Sequence, residues 1–141
     1  MPAFSTVSQQ RLATCDIRLQ VLLNELIKHV DFTVLEGHRG EAAQNQAFLE
    51  GKSTKKWPHG NHNSMPSRAV DIAPVFLDVK GKIDWKDYIA FGRLMGMLDM
   101  LAKTRNIKLR FGLDWDGDFR SVDQDPDESF LDAPHVELID G

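Results

Sequence analysis

Apolar residues recur at helical spacing near the start of the chain and again in its second half. The first series predicts a helix over about residues 8–29, and its apolar face consists of Leu12, Cys15, Leu19, Leu22, Leu26 and Val30. The second series predicts a helix from Trp85 to about Arg105, with Asp84 as its N-cap. The buried stripe of this second helix is predicted to consist of Ile89, Leu94, Met95, Leu98, Leu101 and Ala102.

Four short runs rich in β-branched and aromatic residues predict strands, at residues 32–36, 68–73, 108–111 and 135–139. Good helix formers over residues 41–50, ending at Gly51, predict a further helix. Helices and strands alternate irregularly, and no glycine-rich phosphate-binding motif occurs. We therefore predict one α+β domain over residues 1–141, with helices packed against a small, mostly antiparallel sheet.

Composition narrows the classes of function. The net charge of −4 over 141 residues argues against a protein whose main partner is nucleic acid, since such proteins carry a basic face. No apolar run approaches the length of a membrane span, and the first residues lack the charged and then apolar pattern of an export signal. Cys15 is the only cysteine, so a metal site would have to use histidines and carboxylates. Its place in the apolar series predicts a small core residue rather than a nucleophile.

Two histidines and one aspartate form the strongest candidate metal site: His62, Asp71 and His135. Asp71 stands in an otherwise apolar strand, where a carboxylate needs a partner, and a metal ion, an arginine or backbone donors would each serve. His135 begins the last predicted strand, and alternation places Glu137 on the same face. Two imidazoles and a carboxylate with an open fourth position are typical of catalytic zinc. The three residues are far apart in the sequence, however, and no H-E-x-x-H motif is present.

A second candidate cation site lies in an acidic segment, residues 114–132, which holds eight carboxylates and one arginine. Its aspartates at alternating positions, and one more at the twelfth position of the series, are Asp114, Asp116, Asp118 and Asp125. Ca²⁺ prefers six to eight oxygen ligands, so this spacing is a candidate for a regulatory or structural calcium loop. Gly117 occupies the fourth position rather than the sixth, and the twelfth is Asp rather than Glu. A solvated acidic loop therefore remains the alternative.

Several polar motifs occur in order along the chain: EGHR at residues 36–39, HGNHNSMPSRAVD at 59–71 and DAPHVEL at 132–138. Together they resemble the zinc peptidase family of D-alanyl-D-alanine carboxypeptidases, D-Ala-D-Ala dipeptidases and phage L-alanyl-D-glutamate endolysins. The segments KGKIDW at 80–85 and IKLRFGLDW at 107–115 are most similar to the phage endolysin branch. The resemblance extends from about Leu12 to Leu138, and it implies the fold that these peptidases share with the hedgehog signalling domain.

The chain departs from the family pattern S-x-H-x-x-G-x-A-x-D at the first histidine. His62 stands nine positions before Asp71 rather than seven, and Gly60 replaces the usual serine. His59 competes for the same role. We prefer His62, because two extra loop residues are easily accommodated, whereas His59 would require five.

The resemblance implies a role for each matched residue. Zn²⁺ would be held by His62, Asp71 and His135. Asp132 would take a proton from the attacking water and return it to the leaving amine. Arg39 would stabilise the developing oxyanion or hold a substrate carboxylate, with a surface ion pair as the alternative. Glu137 would orient a ligand imidazole, or be an exposed charge at a strand edge.

The implied substrate is the peptide stem of peptidoglycan, cut at the L-alanyl-D-glutamate bond by a phage endolysin that causes host lysis. A D,D-carboxypeptidase is the alternative enzyme, and a non-catalytic zinc-containing binding module of the same fold is the alternative of another class. With no export signal, such an enzyme would be made in the host cytoplasm and would reach the wall after a separate membrane-release step. We expect a monomer that neither inserts into a membrane nor binds nucleic acid.

Overall fold

The computed structural model describes residues 2–79, 81–120 and 131–140. The elements in order are α1 (Thr6–Leu12), α2 (Ile17–Leu26), β1 (Phe32–Glu36), α3 (Glu41–Leu49), a 3₁₀ turn (Asn61–Asn63), β2 (Ala69–Pro74), α4 (Tyr88–Thr104), β3 (Leu109–Phe111) and β4 (His135–Leu138). The predicted α+β class is confirmed. Among these described helices, none is both long and apolar enough to cross a membrane.

The described strands form one four-stranded sheet in the order β1-β2-β4-β3, and every neighbouring pair is antiparallel. In the centre of the sheet Asp71 of β2 stands directly opposite His135 of β4. Cross-strand partners of this kind project their side chains on the same face. The register therefore brings together two residues that are 64 positions apart in the sequence.

The main core lies between the helices and the sheet. α2 packs on α4, α4 packs on β2 and β3, and α1 packs on β1. Among the described residues, the largest buried apolar side chains are Leu19, Leu22, Leu23, Leu26, Ile72, Phe91, Leu94 and Leu98. Burial of this apolar surface is the main stabilising contribution. It fixes β2 and β4, the two strands that carry Asp71 and His135.

The predicted single helix over residues 8–29 is wrong. The chain breaks at Cys15, which forms a parallel bridge with Ser67, and the Asp16 amide donates to the Ser67 carbonyl at 2.8 Å. Asp16 then caps α2, because its Oδ1 accepts from the Arg18 amide at 2.9 Å. Leu12, Cys15 and Leu19 remain in one core across the break, which is why their spacing resembled that of one continuous helix.

The predicted start of the long helix is also wrong. α4 begins after Asp87, whose Oδ1 accepts from the Ala90 amide at 3.0 Å, whereas Asp84 accepts from the Lys86 amide in the preceding turn. Ile89 is 80% exposed. It lies two positions before the buried Phe91, about 200° around the helix, and therefore faces solvent.

Candidate metal centre

His62, Asp71 and His135 converge at one place in the described structure. His62 Nε2 lies 3.2 Å from Asp71 Oδ1 and 3.3 Å from His135 Nδ1. His135 Nδ1 lies 3.3 Å from Asp71 Oδ1. The three atoms thus form a nearly equilateral triangle. Both imidazoles are almost fully buried.

The size of this triangle fits a tetrahedral zinc ion. Ligand atoms at about 2.0–2.2 Å from a tetrahedral metal are separated from one another by about 3.3–3.6 Å. The orientation of the two rings also fits, because the outer nitrogen of each ring faces an acceptor. His62 Nδ1 lies 2.7 Å from the Gly37 carbonyl oxygen, and His135 Nε2 lies 2.7 Å from Glu137 Oε1. If each outer nitrogen donates its proton there, the two inner nitrogens present lone pairs towards the Asp71 carboxylate, and such an acceptor set suits a cation.

Local structure around the 3₁₀ turn places His62. The Gly60 amide donates to Asn63 Oδ1 at 2.8 Å, which closes the turn. The Arg39 amide donates to the His62 carbonyl at 2.8 Å, which ties the turn to the end of β1. His62 is therefore held through its ring by Gly37 and through its backbone by Arg39.

The electrostatics of the centre favour a positive charge. Burial acts to lower the pKa of His135, but hydrogen bonds with Asp71 and Glu137 outweigh it and raise this pKa to about 9. Burial acts to raise the pKa of Asp71, but the two imidazoles outweigh it and hold this pKa well below its usual range. The field that favours a proton on His135 also favours a metal cation between the same atoms.

Asp132 stands beside the triangle. Its Oδ2 lies 4.0 Å from His135 Nδ1. Its amide donates to the Gly112 carbonyl at 3.0 Å, and the His135 amide donates to the Asp132 carbonyl at 3.1 Å. Burial, together with the negative charge of Asp71, raises the pKa of Asp132 to about 6. A carboxyl group with such a pKa can both accept and return a proton near neutral pH.

Arg39 lies at the edge of the centre in a half-buried ion pair. Its Nε and Nη2 donate to the two carboxylate oxygens of Glu36 at 2.8 and 3.0 Å, and Nη1 donates to Gln44 Oε1 at 3.1 Å. Nη2 also lies 3.7 Å from Asp71 Oδ2. The predicted alternative of an ion pair is thus present, although the pair is half-buried rather than on the surface. The remaining N–H groups leave a role towards substrate open.

A cleft of about 440 Å³ opens over the centre. Its floor is formed by His62, Asp132 and His135, and its rim includes Lys52, Ser53, Thr54, Lys55, Arg110 and Trp115. The Trp115 ring lies over that of His135, with centroids 5.4 Å apart. The centre is therefore accessible from one side, as a site that takes a ligand or substrate must be.

The other predicted site residues lie as follows. His59 is exposed and is not part of the triangle. Asp114, Asp116 and Asp118 approach closely enough for one cation, and two of these carboxylates, those of Asp114 and Asp116, accept from the Asp118 amide. Asp125 lies outside the described residues. The calcium loop therefore stays a prediction.

Comparisons with known proteins show the family to which the chain belongs. A sequence model of the family described as phage L-alanyl-D-glutamate peptidase matches residues 2–139. The chain belongs to this phage peptidase family. It is 33% identical to the L-alanyl-D-glutamate peptidase of Escherichia phage T5 over 140 residues, which cover 96% of this chain and 97% of the relative. The crystal structure of the L-Ala D-Glu endopeptidase ChiX of Serratia marcescens shares the fold, with a TM-score of 0.72 and 20% identity over 98% of this chain and 91% of that one.

Two residues of this phage peptidase were missed by sequence reasoning. Gln44 accepts hydrogen bonds from Arg39 and Asn63 beside the centre. Arg110 donates through Nε and Nη2 to Glu137 at 3.1 and 2.8 Å. Arg110 and Glu137 are cross-strand partners in β3 and β4, so the missing signal was the pairing of those strands. For Gln44, a polar residue in a helix without a clear apolar face offered no signal.

Proposed function

We propose that this peptidase is a zinc-dependent endopeptidase that cuts the L-alanyl-D-glutamate bond in the peptide stem of peptidoglycan, as a phage endolysin does during host lysis. The observation that carries the proposal is the triangle of His62, Asp71 and His135 with Asp132 at its open side. Membership of the phage family and the relative from phage T5 support the choice of bond.

The three ligands and Asp132 have separable tasks in this proposal. A bound zinc ion supplies Lewis-acid chemistry, since it acidifies water and polarises a carbonyl oxygen. His62, Asp71 and His135 hold the ion. Asp132 takes a proton from the attacking water and returns it to the amine that leaves, which its pKa of about 6 suits.

The charge of the cleft suits an acidic stem peptide. Lys52, Lys55 and Arg110 line the cleft, so the cleft offers cations to a carboxylate-bearing substrate. Arg39 lies at the base of the same cleft. We propose that its guanidinium, held by Glu36, stabilises negative charge that develops on the scissile carbonyl oxygen.

The test is hydrolysis of purified peptidoglycan, with mass analysis of the released products. We expect new amino termini at D-glutamate and loss of turnover by at least about a hundredfold in Asp132→Asn, with one zinc ion still bound. Asp31→Asn makes the same chemical change at an exposed position and should keep wild-type activity.

The alternatives give different results in this assay. A D,D-carboxypeptidase would release terminal D-alanine instead of exposing D-glutamate. A non-catalytic module would bind zinc and peptidoglycan without turnover. Either result would overturn the proposal. Action on the wall from inside the host, after membrane release, would be checked by expression with and without a membrane-permeabilising protein.

A further inference from the structure

Gln44 has an unusual position in α3. It is completely buried, and it is the buried residue of that helix. Helices normally dock through apolar side chains. Burying an amide is costly unless its polar atoms all find partners. A helix that buries a glutamine therefore depends on what that glutamine contacts.

The Gln44 amide uses its full hydrogen-bonding capacity on two different groups. Its Oε1 accepts from Arg39 Nη1 at 3.1 Å and from Asn63 Nδ2 at 3.0 Å. Its Nε2 donates to Ser53 Oγ at 3.0 Å and to the Lys55 carbonyl oxygen. An amide has two acceptor sites and two donor hydrogens, so all four are occupied.

The two groups belong to different parts of the cleft. On the Oε1 side, Arg39 approaches Asp71, and Asn63 follows His62 in the 3₁₀ turn. On the Nε2 side, Ser53 and Lys55 belong to the rim segment, residues 52–55, which lines the cleft. One side chain thus connects the floor of the cleft with its rim.

Gly60, in the turn before His62, packs closely against the Gln44 amide. A Cβ added at Gly60 would lie 3.0 Å from both Gln44 Oε1 and Cδ, and 2.8 Å from Asn63 Oδ1. The turn before His62 therefore packs directly against the Gln44 amide. A displacement of this amide would be transmitted to both groups.

We propose that Gln44 is a positioning residue that sets the substrate-binding rim segment in register with the metal centre. Its Nε2 holds the rim segment where the rim meets substrate, and its Oε1 holds Arg39 and the His62 turn. The consequences for activity and for zinc retention rest on the proposed function. The consequence for the rim segment does not.

The Gln44→Glu variant separates the role of the acceptor atom, Oε1, from that of the donor atom, Nε2. An ionised carboxylate still accepts from Arg39 and Asn63 but cannot donate to the Lys55 carbonyl. Gln46→Glu is the matched control, because it makes the same change at an exposed position of the same helix. Gln44→Met removes both the acceptor and the donor atom and keeps a side chain of similar length.

Limited digestion with trypsin tests whether Gln44 Nε2 holds the rim segment, and it does not depend on the activity of the protein itself. Trypsin must bind the Lys55 carbonyl to cut after Lys55, and Gln44 occupies that carbonyl. Well below the unfolding transition, cleavage after Lys55 should be about tenfold or more faster in Gln44→Glu than in wild type, as expected when the hydrogen bond to the Lys55 carbonyl is lost. Gln46→Glu should be cut at the wild-type rate.

Enzyme kinetics and zinc retention test both ends of the Gln44 amide. In Gln44→Glu, KM for stem peptide should rise about fivefold or more, because the rim is released. In Gln44→Met, kcat should fall as well, and zinc should be lost to a chelator faster than from wild type. Gln46→Glu should match wild type in all three readouts.

The inference is overturned if Gln44→Glu is cut at the wild-type rate, if its KM matches that of Gln46→Glu, or if Gln44→Met lowers only the melting temperature. A wild-type protein that binds zinc but does not hydrolyse peptidoglycan would refute the proposed function instead. Digestion and zinc retention would then still decide the role of Gln44.

Discussion

His135 Nε2 lies 2.7 Å from Glu137 Oε1, two positions further along β4, and this contact is buried. Because a carboxylate oxygen only accepts, Nε2 carries a proton in this contact, and Nδ1, which faces Asp71 and His62, is the nitrogen that would bind a metal. Burial acts to raise the pKa of Glu137, but hydrogen bonds from His135 and Arg110 outweigh it and bring this pKa to about 2. Glu137 is therefore an ionised acceptor that fixes the direction of a candidate metal ligand.

Glu137→Gln should weaken zinc binding by about ten- to a hundredfold, since partners that orient ligand histidines commonly have effects of that size. Competition with a chromophoric chelator measures the affinity. Arg110→Gln keeps the carboxylate and removes its ion pair, so its effect should be smaller. Equal zinc affinity in wild type and Glu137→Gln would show that Glu137 does not support the centre.

His62→Ala should lose stoichiometric zinc, whereas His59→Ala should keep it. The reason is position, because His62 Nε2 lies within 3.3 Å of the other two ligand atoms and His59 is exposed. Metal analysis of the purified variants checks this, together with activity after chelation and zinc addition. The opposite pattern would assign the first ligand to His59.

Gly112→Ala should lower kcat by displacing Asp132. A Cβ at Gly112 would overlap the Asp132 carbonyl oxygen and lie 2.9 Å from the Asp132 Cβ, so the backbone of Asp132 must move. A shift of about 1 Å in a reacting group can cost about a hundredfold in rate.

Gly96→Ala is the control for this variant. Its Cβ would meet nothing within 4 Å, and a helical Gly→Ala change usually stabilises by about 0.4–1 kcal/mol. It should raise the melting temperature slightly and leave kcat unchanged. If kcat is also unchanged in Gly112→Ala while the variant folds, the contact with Asp132 does not control the reaction.

Cys15→Ser should keep activity and lose stability. Cys15 is 1% exposed, and burial raises the pKa of its thiol to about 11, so at neutral pH it is protonated and unreactive. A buried hydroxyl in its place costs about 1–3 kcal/mol unless it finds a partner. Thermal unfolding and peptidoglycan hydrolysis measure the two effects. Loss of turnover in the folded variant would contradict this core role.

Ca²⁺ should raise the melting temperature or the activity if the acidic segment binds it. Asp114, Asp116 and Asp118 lie close together, and burial raises the pKa of Asp114, so a divalent cation would relieve unfavourable negative charge. Calorimetric titration at constant zinc, with Mg²⁺ as the control ion, tests this. No heat, no shift in melting temperature and no change in activity would leave a solvated acidic loop as the answer.

The sequence by itself determined the local features of this protein. The apolar and alternating patterns of residues 32–36 and 68–73 predicted two strands. The observed strands β1 and β2 begin and end within one residue of these predictions. Gly51, with φ of 76°, follows α3 as predicted from its position after good helix formers. A single cysteine restricted any metal ligands to histidines and carboxylates, and its apolar spacing identified Cys15 as a core residue.

Only the tertiary structure decided the features that depend on contacts between distant segments. The break at Cys15 comes from its pairing with Ser67, and the opposition of Asp71 and His135 comes from the register of β2 and β4. Periodicity reports which face of an element is apolar, but it does not report which other element covers that face. The polar contacts of Gln44 could not be predicted from the sequence for the same reason. A buried amide is recognised by its hydrogen-bond partners and not by its neighbours in the sequence.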